Sequence, residues 1–187
     1  RTANVLDDSE AVRTDIRSDL DGSDTQEGVP MTLDLRVLDG ANGCAPLAGA
    51  AVYVWHCNRE GEYSQYDAQM LGGDFSAFSW LRGVQVADAD GKVSFTTILP
   101  GRYQGRAFHI HFEVYQDSSL QKLLLTSQLA GDDEQIAELY QDAGYDEALA
   151  NDTSNANDGV FGDGVDQQLL TFSGTGASGL VARRDVT

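Results

Sequence analysis

The chain has 187 residues, a length that suits one domain or one domain with extended tails. It is 41% hydrophobic and 22% charged, and a globular chain of this size can build a core without disulfide or metal staples. Acidic residues outnumber basic ones 30 to 12, for a formal net charge of -18. Nucleic acid and anionic membrane surfaces are therefore not expected as partners. No apolar run approaches the ~20 residues that span a bilayer.

Residues 1–28 are predicted to form an N-terminal arm that packs on a domain formed by residues 29–187. The arm is acidic, and Val12, Ile16 and Leu20 recur at helix-like spacing, so both a short helix and an extended segment fit the pattern. The chain begins at Arg1 without an initiator methionine or an apolar leader. We interpret it as a mature or trimmed form.

The rest of the chain has patterns typical of short strands. In residues 32–38, Leu33, Leu35 and Val37 alternate with polar residues, which predicts a half-buried strand. One clear helix is predicted over 132–143, with acidic residues at its start and Gly144 at its end. A mainly β fold follows, an antiparallel β-sandwich with long loops and one or two short helices. The other predicted strands are residues 51–57, 92–98, 107–115, 122–128, 168–172 and 179–183.

The two cysteines do not decide the redox compartment. Cys44 lies in a turn that contains Gly and Pro, and Cys57 ends the strand that follows. In an exported protein they would be expected to pair, and in a cytosolic one to stay reduced. The sequence leaves the disulfide open.

Residues 101–112, GRYQGRAFHIHF, carry the most informative chemistry. On a strand, alternation places His109 and His111 on one face and Ile110 and Phe112 on the core face. Two imidazoles at i and i+2 can present two ligands to one metal ion. Only three histidines occur in the chain, and two of them form this pair.

Two tyrosine-bearing loops would complete a metal site. Tyr103 precedes the histidine pair in a Gly-rich turn, and Tyr63 lies in the loop GEYSQY after strand 51–57. Phenolates with imidazoles suit iron(III), because phenolates neutralise a trivalent ion, whereas zinc more often binds Cys, His or carboxylate. The other tyrosines are interpreted as core or rim aromatics, namely Tyr53, Tyr66, Tyr115, Tyr140 and Tyr145.

These residues lie in motifs that resemble the intradiol ring-cleavage dioxygenases, the group of catechol 1,2- and protocatechuate 3,4-dioxygenases. The motifs occur in the family order: strand-W-H, G-x-Y-S, L-R-G-x-Q, D-x-D-G, P-G-x-Y and R-x-x-H-I-H-F. Weaker similarity extends over nearly the whole chain. The resemblance is closest to the small, single-domain, secreted branch.

The resemblance implies a mononuclear non-haem iron(III) centre. Its ligands would be Tyr63, Tyr103, His109 and His111, with Tyr103 as an axial ligand that leaves the metal and acts as a base. Arg106 matches the family arginine that stabilises charge on the bound ring. The implied reaction is intradiol cleavage of a catechol by O2 to a cis,cis-muconate-type dicarboxylic acid, without an organic cofactor. The resemblance to the secreted branch implies a secreted protein. A monomer is expected, since no segment resembles a helical dimerisation domain.

Two other classes of protein fit parts of the pattern. A transthyretin- or immunoglobulin-like binding module with an incidental H-x-H pair would be a colourless non-enzyme. A small zinc or iron(II) barrel enzyme would need a further ligand. His56 could serve a His-only zinc site, but alternation groups it with core residues, so a hydrogen-bonded core or supporting histidine is favoured. Gln85 is predicted to contact solvent at the metal or a backbone group, and Arg82 and Arg102 are predicted to be structural.

Overall fold

The computed structural model describes Leu6, residues 8–67 and residues 73–187. These residues form nine strands in two sheets and two α-helices. No helix among them is long and apolar enough to cross a membrane. The helices are α1 (Asp133–Ala143) and α2 (Asp146–Ala150), and single 3-10 turns occur at Ser9–Ala11, Gly40–Asn42 and Asn155–Asn157. The strands are β1 (Pro30–Asp39), β2 (Ala45–Pro46), β3 (Ala51–Trp55), β4 (Arg82–Val86), β5 (Lys92–Ile98), β6 (His109–Tyr115), β7 (Leu123–Ala130), β8 (Thr171–Thr175) and β9 (Gly179–Val186).

The two sheets confirm the predicted mainly β sandwich. One has the order β2-β1-β9-β8, with β5 also paired to β1, and the other has the order β4-β3-β6-β7. The pairings are antiparallel except that of β1 with β9, which is parallel. The inner faces share one apolar cluster, in which Leu35 and Phe95 of the first sheet join Val54, Ile110 and Phe112 of the second. Burial of these side chains is the main stabilising contribution to such a sandwich.

The N-terminal arm runs as an extended segment across both sheets after the turn at Ser9–Ala11. The backbone N–H of Ile16 donates to Thr96 O at 3.0 Å, and Leu81 N–H donates to Ile16 O at 2.6 Å. These bonds to the domain replace the internal bonds of a helix, so the arm is extended rather than helical. Its first residues, 1–5 and 7, lie outside the described part of the chain.

The arm explains why β3 shows no apolar–polar alternation. The inward side chains Val52 and Val54 belong to the sandwich core, while Tyr53 on the outer face packs in a second cluster with Ala11 of the arm. Both faces of β3 are therefore covered, and both are apolar.

The helix and several strands lie where the sequence predicts them, with small shifts at the ends. In α1, Asp132 caps the helix by accepting from Gln135 N–H at 3.0 Å, and Gly144 ends it in the left-handed region at φ 67°. Strand β5 matches its prediction, whereas strand 168–172 was predicted too early. Leu170 is buried and bonds to Ala130, so its apolar character reflects packing before β8 begins.

Strands β2 and β4 are not predicted by the sequence pattern. β2 is only two residues long and lies in the Gly-rich loop 39–49. In β4, Arg82, Gly83 and Gln85 break the apolar run. Arg82 is buried through hydrogen bonds, and Gly83 leaves room for Ile16, whose Cγ2 would lie 2.4 Å from an added Cβ.

Ile16→Ala is expected to destabilise the domain by about 2–5 kcal/mol, because Ile16 is fully buried in the shared core and its removal leaves a cavity. Val12→Ala is the matched control on the same arm, since Val12 is 54% exposed, and it should change stability by less than about 0.5 kcal/mol. Urea unfolding of both variants measures the difference. Equal, small effects would show that the arm does not contribute to the core.

Candidate metal centre

The candidate site lies on the outer face of the four-stranded sheet, at the start of β6. Strand alternation turns Ile110 and Phe112 into the core and directs His109 and His111 outward. The loop after β3 brings in Tyr63, and the loop before β6 brings in Tyr103. The four side chains proposed as ligands from the sequence therefore meet in one place.

Distances among the four rings show the convergence. Tyr63 Oη lies 2.9 Å from His109 Nε2. The Tyr63 ring centroid is 5.9 Å from that of Tyr103 and 5.9 Å from that of His111. The two imidazole centroids are 4.9 Å apart. Two donors bound about 2.0–2.1 Å from one ion at a right angle would lie about 3 Å apart, so the spacing of Tyr63 Oη and His109 Nε2 suits a shared ion.

Both imidazoles are held in the neutral form that a metal ligand requires. His109 Nδ1 lies 2.8 Å from Ala107 O, which can only accept, so Nδ1 carries the proton and the Nε2 lone pair faces the site. Burial lowers the pKa of His109 to about 4, with Arg106 adding to the effect. Burial also lowers the pKa of His111 to about 3, with His109 and Arg106 as further causes.

The phenols of Tyr63 and Tyr103 are expected to lose their protons only when a cation binds beside them. Burial raises the pKa of Tyr63 well above its ordinary value, and burial also raises the pKa of Tyr103, where the nearby Arg106 partly opposes it. Two phenolic oxygens and two imidazole nitrogens form a hard donor set that fits a trivalent iron ion. Among the described residues, no group of three or more His, Cys, Asp and Glu side chains could hold a metal.

A glycine contact joins the two tyrosine-bearing loops. Gly101 N–H donates to Asn58 O at 3.0 Å, and a Cβ on Gly101 would lie 2.2 Å from Arg59 O. Only glycine allows the two backbones to approach this closely. The backbone before Tyr103 is thus seated against the backbone before Tyr63.

Arg106 lies at the site and is also ion-paired. Its Nη1 is 3.4 Å from Tyr103 Oη and 3.4 Å from His109 Nε2. Its Nε donates to Asp158 at 2.9 Å, and its Nη2 donates to Gln128 Oε1. The same side chain therefore lies at the site and forms a salt bridge.

Three residues of the site were not found from the sequence. Trp55 stacks on His111, with ring centroids 4.7 Å apart and planes 6° from parallel, and it is the direct cross-strand partner of that histidine. Pairing of β3 with β6 could have indicated it. Asp158 and Gln128 contact Arg106 from other elements, and no local pattern marks either one.

His56 and Gln85 do not belong to the site. His56 is buried, its Nδ1 bonds to Cys57 O at 2.8 Å, and its Nε2 bonds to Thr97 Oγ1 at 2.7 Å. Both ring nitrogens are used, which agrees with a core histidine. The Gln85 amide donates to Thr14 Oγ1 of the arm at 3.1 Å.

The remaining predictions concern structural side chains. Arg82 donates to Ser64 and Tyr53, and Arg102 donates to Ala148 O at 2.8 Å. Both are buried and structural, as predicted. Both cysteines are free thiols, with Cys44 exposed and Cys57 buried.

Most of the chain matches a protein-family model described as "Dioxygenase", over residues 6–170. Over 105 residues, it is 35% identical to catechol 1,2-dioxygenase 1 of Acinetobacter lwoffii, a match that covers 46% of this chain and 32% of that protein. The chain belongs to the intradiol ring-cleavage dioxygenase family. It matches only about a third of the length of such curated relatives.

Solved structures of dioxygenases share the fold. The intradiol ring-cleavage dioxygenase from Tetranychus urticae has a TM-score of 0.78 at 23% identity, covering 94% of this chain and 85% of that one. The dioxygenase domain of a dioxygenase carbohydrate-binding protein fusion from Streptomyces sp. SirexAA-E has a TM-score of 0.61 at 25% identity, covering 94% and 86%. The intradiol family fold thus extends over nearly the whole of this chain.

Acidification is expected to destabilise the metal-free intradiol domain. Burial lowers the pKa of His56 and of His109 to about 4, below the ~6.5 of an unfolded histidine. The unfolded chain therefore binds protons that the folded chain does not. The stability from each neutral imidazole is fully present above about pH 6.5 and falls by about 1.4 kcal/mol per pH unit below it, down to the folded pKa.

Thermal melts of chelator-treated protein between about pH 7 and pH 5 measure this dependence, in a range above the titration of most carboxyl groups. A His56→Gln variant should show a shallower decline of Tm with falling pH, because one titrating group is gone. A Tm that stays constant across this range would contradict the neutral, buried state of the histidines.

Proposed function

We propose that the chain catalyses intradiol cleavage of a catechol-type ring by O2 at a mononuclear iron(III) centre, giving a cis,cis-muconate-type dicarboxylic acid. The observation that carries the proposal is the convergence of Tyr63, Tyr103, His109 and His111 beside Arg106 in a member of the intradiol family. The donor set supports iron(III) over zinc. No organic cofactor is required.

The four side chains would divide the work unequally. Iron(III) held by these residues would supply a Lewis acid that makes the catechol ring reactive toward O2. Tyr63 is almost fully buried, at 3% exposure, and would serve as a permanent ligand. Tyr103 is only half-buried, so it is the ligand that can turn away and accept a substrate proton at Oη. The phenolate that leaves the metal would be the base, since its conjugate phenol has a pKa near 10, and it becomes neutral tyrosine on taking up the proton.

Arg106 supplies a directed donor rather than a free charge. Its Nη1 faces the space between Tyr103 Oη and His109 Nε2, where negative charge would develop on the bound ring. A fixed N–H donor in a water-poor site stabilises such charge without reorganisation.

The electrostatics of the surrounding loops support an uncharged catechol as substrate. Residues 58–80 contain one arginine against four acidic residues, and residues 150–167 contain no basic residue. Arg59 is paired with Glu60, and Arg102 is buried on backbone carbonyls. No cation in the described parts of these loops is free to pair with a carboxylate on the ring, so we propose rings with neutral substituents.

Reconstitution with iron(III) is expected to give a red-brown protein with one iron per chain, because tyrosinate-to-iron(III) charge transfer absorbs visible light. Tyr63→Phe should weaken or abolish the visible band. Tyr115→Phe is the matched control, since Tyr115 lies on the same sheet face but donates to Glu113, and its band should match wild type. Visible spectra with metal analysis decide. A colourless, iron-free sample would favour the non-enzymatic binding module.

Catechol and 4-methylcatechol are expected to react at least ~10-fold faster in kcat/KM than protocatechuate, whose ring carboxylate meets an acidic entrance without a free cation. Oxygen uptake together with loss of the ring absorbance measures each rate. The difference should shrink at high salt, because screening weakens the repulsion. A preference for the carboxylated ring would refute the proposed substrate class.

A further inference from the structure

Asp158 has a buried carboxylate that lies beside the site but is not one of the four proposed metal ligands. Its side chain has no solvent exposure. It accepts from both Arg106 Nε and the backbone N–H of Ala107, the latter at 2.8 Å. It also accepts from Val160 N–H at 2.8 Å. A carboxylate buried this fully is stable only with such a complete set of donors.

The contacts of Arg106 leave one donor group for the site. Nε is used by Asp158, and Nη2 is used by Gln128. Nη1 is the nitrogen directed toward Tyr103 Oη and His109 Nε2, at 3.4 Å from each. Because the guanidinium is planar, fixing Nε and Nη2 also fixes the direction in which Nη1 points.

The loop that carries Asp158 is itself held firmly. Asn155 N–H donates to the Asp133 carboxylate at 3.0 Å, and the Asn155 side chain donates to Gly131 O at 2.8 Å. Phe161, which is buried, lies beneath the Arg106 guanidinium at 5.9 Å from the ring centroid. The carboxylate therefore has a fixed place relative to β6.

We infer that Asp158 is the positioning residue of this site, which acts through Arg106 by holding its Nη1 toward the reacting ring. The inference rests on the proposed function. Its physical reason is pre-organisation: a free arginine side chain would sample several rotamers, and each catalytic event would have to restrict them again. The buried pair also cancels the net charge of Arg106, so the site receives a directed N–H group without a mobile cation.

The test is a double-mutant cycle on the iron-loaded full chain with catechol as substrate. Asp158→Asn should lower kcat by about tenfold or more, by analogy with loss of a single oriented donor. In an Arg106→Gln background, the same change should alter kcat by less than about twofold, because its target is absent. Asp163→Asn is the matched control, since Asp163 lies exposed in the same loop, and it should leave kcat unchanged.

Equal factors for Asp158→Asn in the two backgrounds would overturn the inference, because Asp158 would then act on the fold alone. If Asp158→Asn does not fold, Asp158→Glu takes its place in the cycle. That variant keeps the charge but moves the carboxylate by one methylene. It should lower kcat in the wild-type background and leave kcat unaltered in the Arg106→Gln background.

A second readout does not depend on catalysis. In metal-free protein, the NMR signal of Arg106 Nε–H should be sharp and protected from exchange, and it should lose both properties in Asp158→Asn but not in Asp163→Asn. An unchanged signal in Asp158→Asn would overturn the inference. If no catechol is cleaved but the signal behaves as expected, the proposed function fails while the positioning by Asp158 stands.

Discussion

The structure depends on the double duty of one strand. β6 closes the sandwich core with Ile110 and Phe112 and presents His109 and His111 on its opposite face. A strand that must keep polar imidazoles dry needs cover on its outer side as well. The arm, the loop after β3 and the loop before β6 provide this cover. The long loops of this small sandwich are thus needed to bury the side chains of the site.

Burial beneath these segments determines the protonation state of the imidazoles and phenols of the site. Burial favours neutral imidazoles and neutral phenols. The imidazoles are therefore ready to bind a metal, but Tyr63 and Tyr103 must each release a proton when they bind one. Metal affinity would accordingly be coupled to pH, and an ion would replace the hydrogen bond between Tyr63 Oη and His109 Nε2 with bonds to itself. Folding thus brings the four side chains together before any metal binds.

Sequence patterns predicted what is local and missed what is distant. The alternation in β6 and the capped helix α1 could be predicted because each pattern lies within about a dozen residues. The resemblance to the intradiol family pointed to Tyr63 and Tyr103, which no periodicity would select. β4 was missed because Arg82 and Gln85 interrupt the apolar pattern of a strand whose outer face is covered by the arm. Long-range packing, rather than propensity, makes it a strand.

Asp158 could not be predicted for a different reason. It is one of 30 acidic residues, and 52 positions separate it from Arg106. Nothing in the surrounding loop distinguishes it from its acidic neighbours. Its environment comes from three donors, on Arg106, Ala107 and Val160, that converge only in the folded chain.

The glycine contact between the tyrosine loops has a consequence for how the site can open. Gly101 seats one loop backbone on Asn58 and Arg59, and Asn151 holds the Tyr103 carbonyl at 2.6 Å from its amide. The main chain at Tyr103 is thereby fastened on two sides. Under the proposed mechanism, Tyr103 would leave the metal by rotation of its ring about the side-chain bonds, without movement of the loop that carries it.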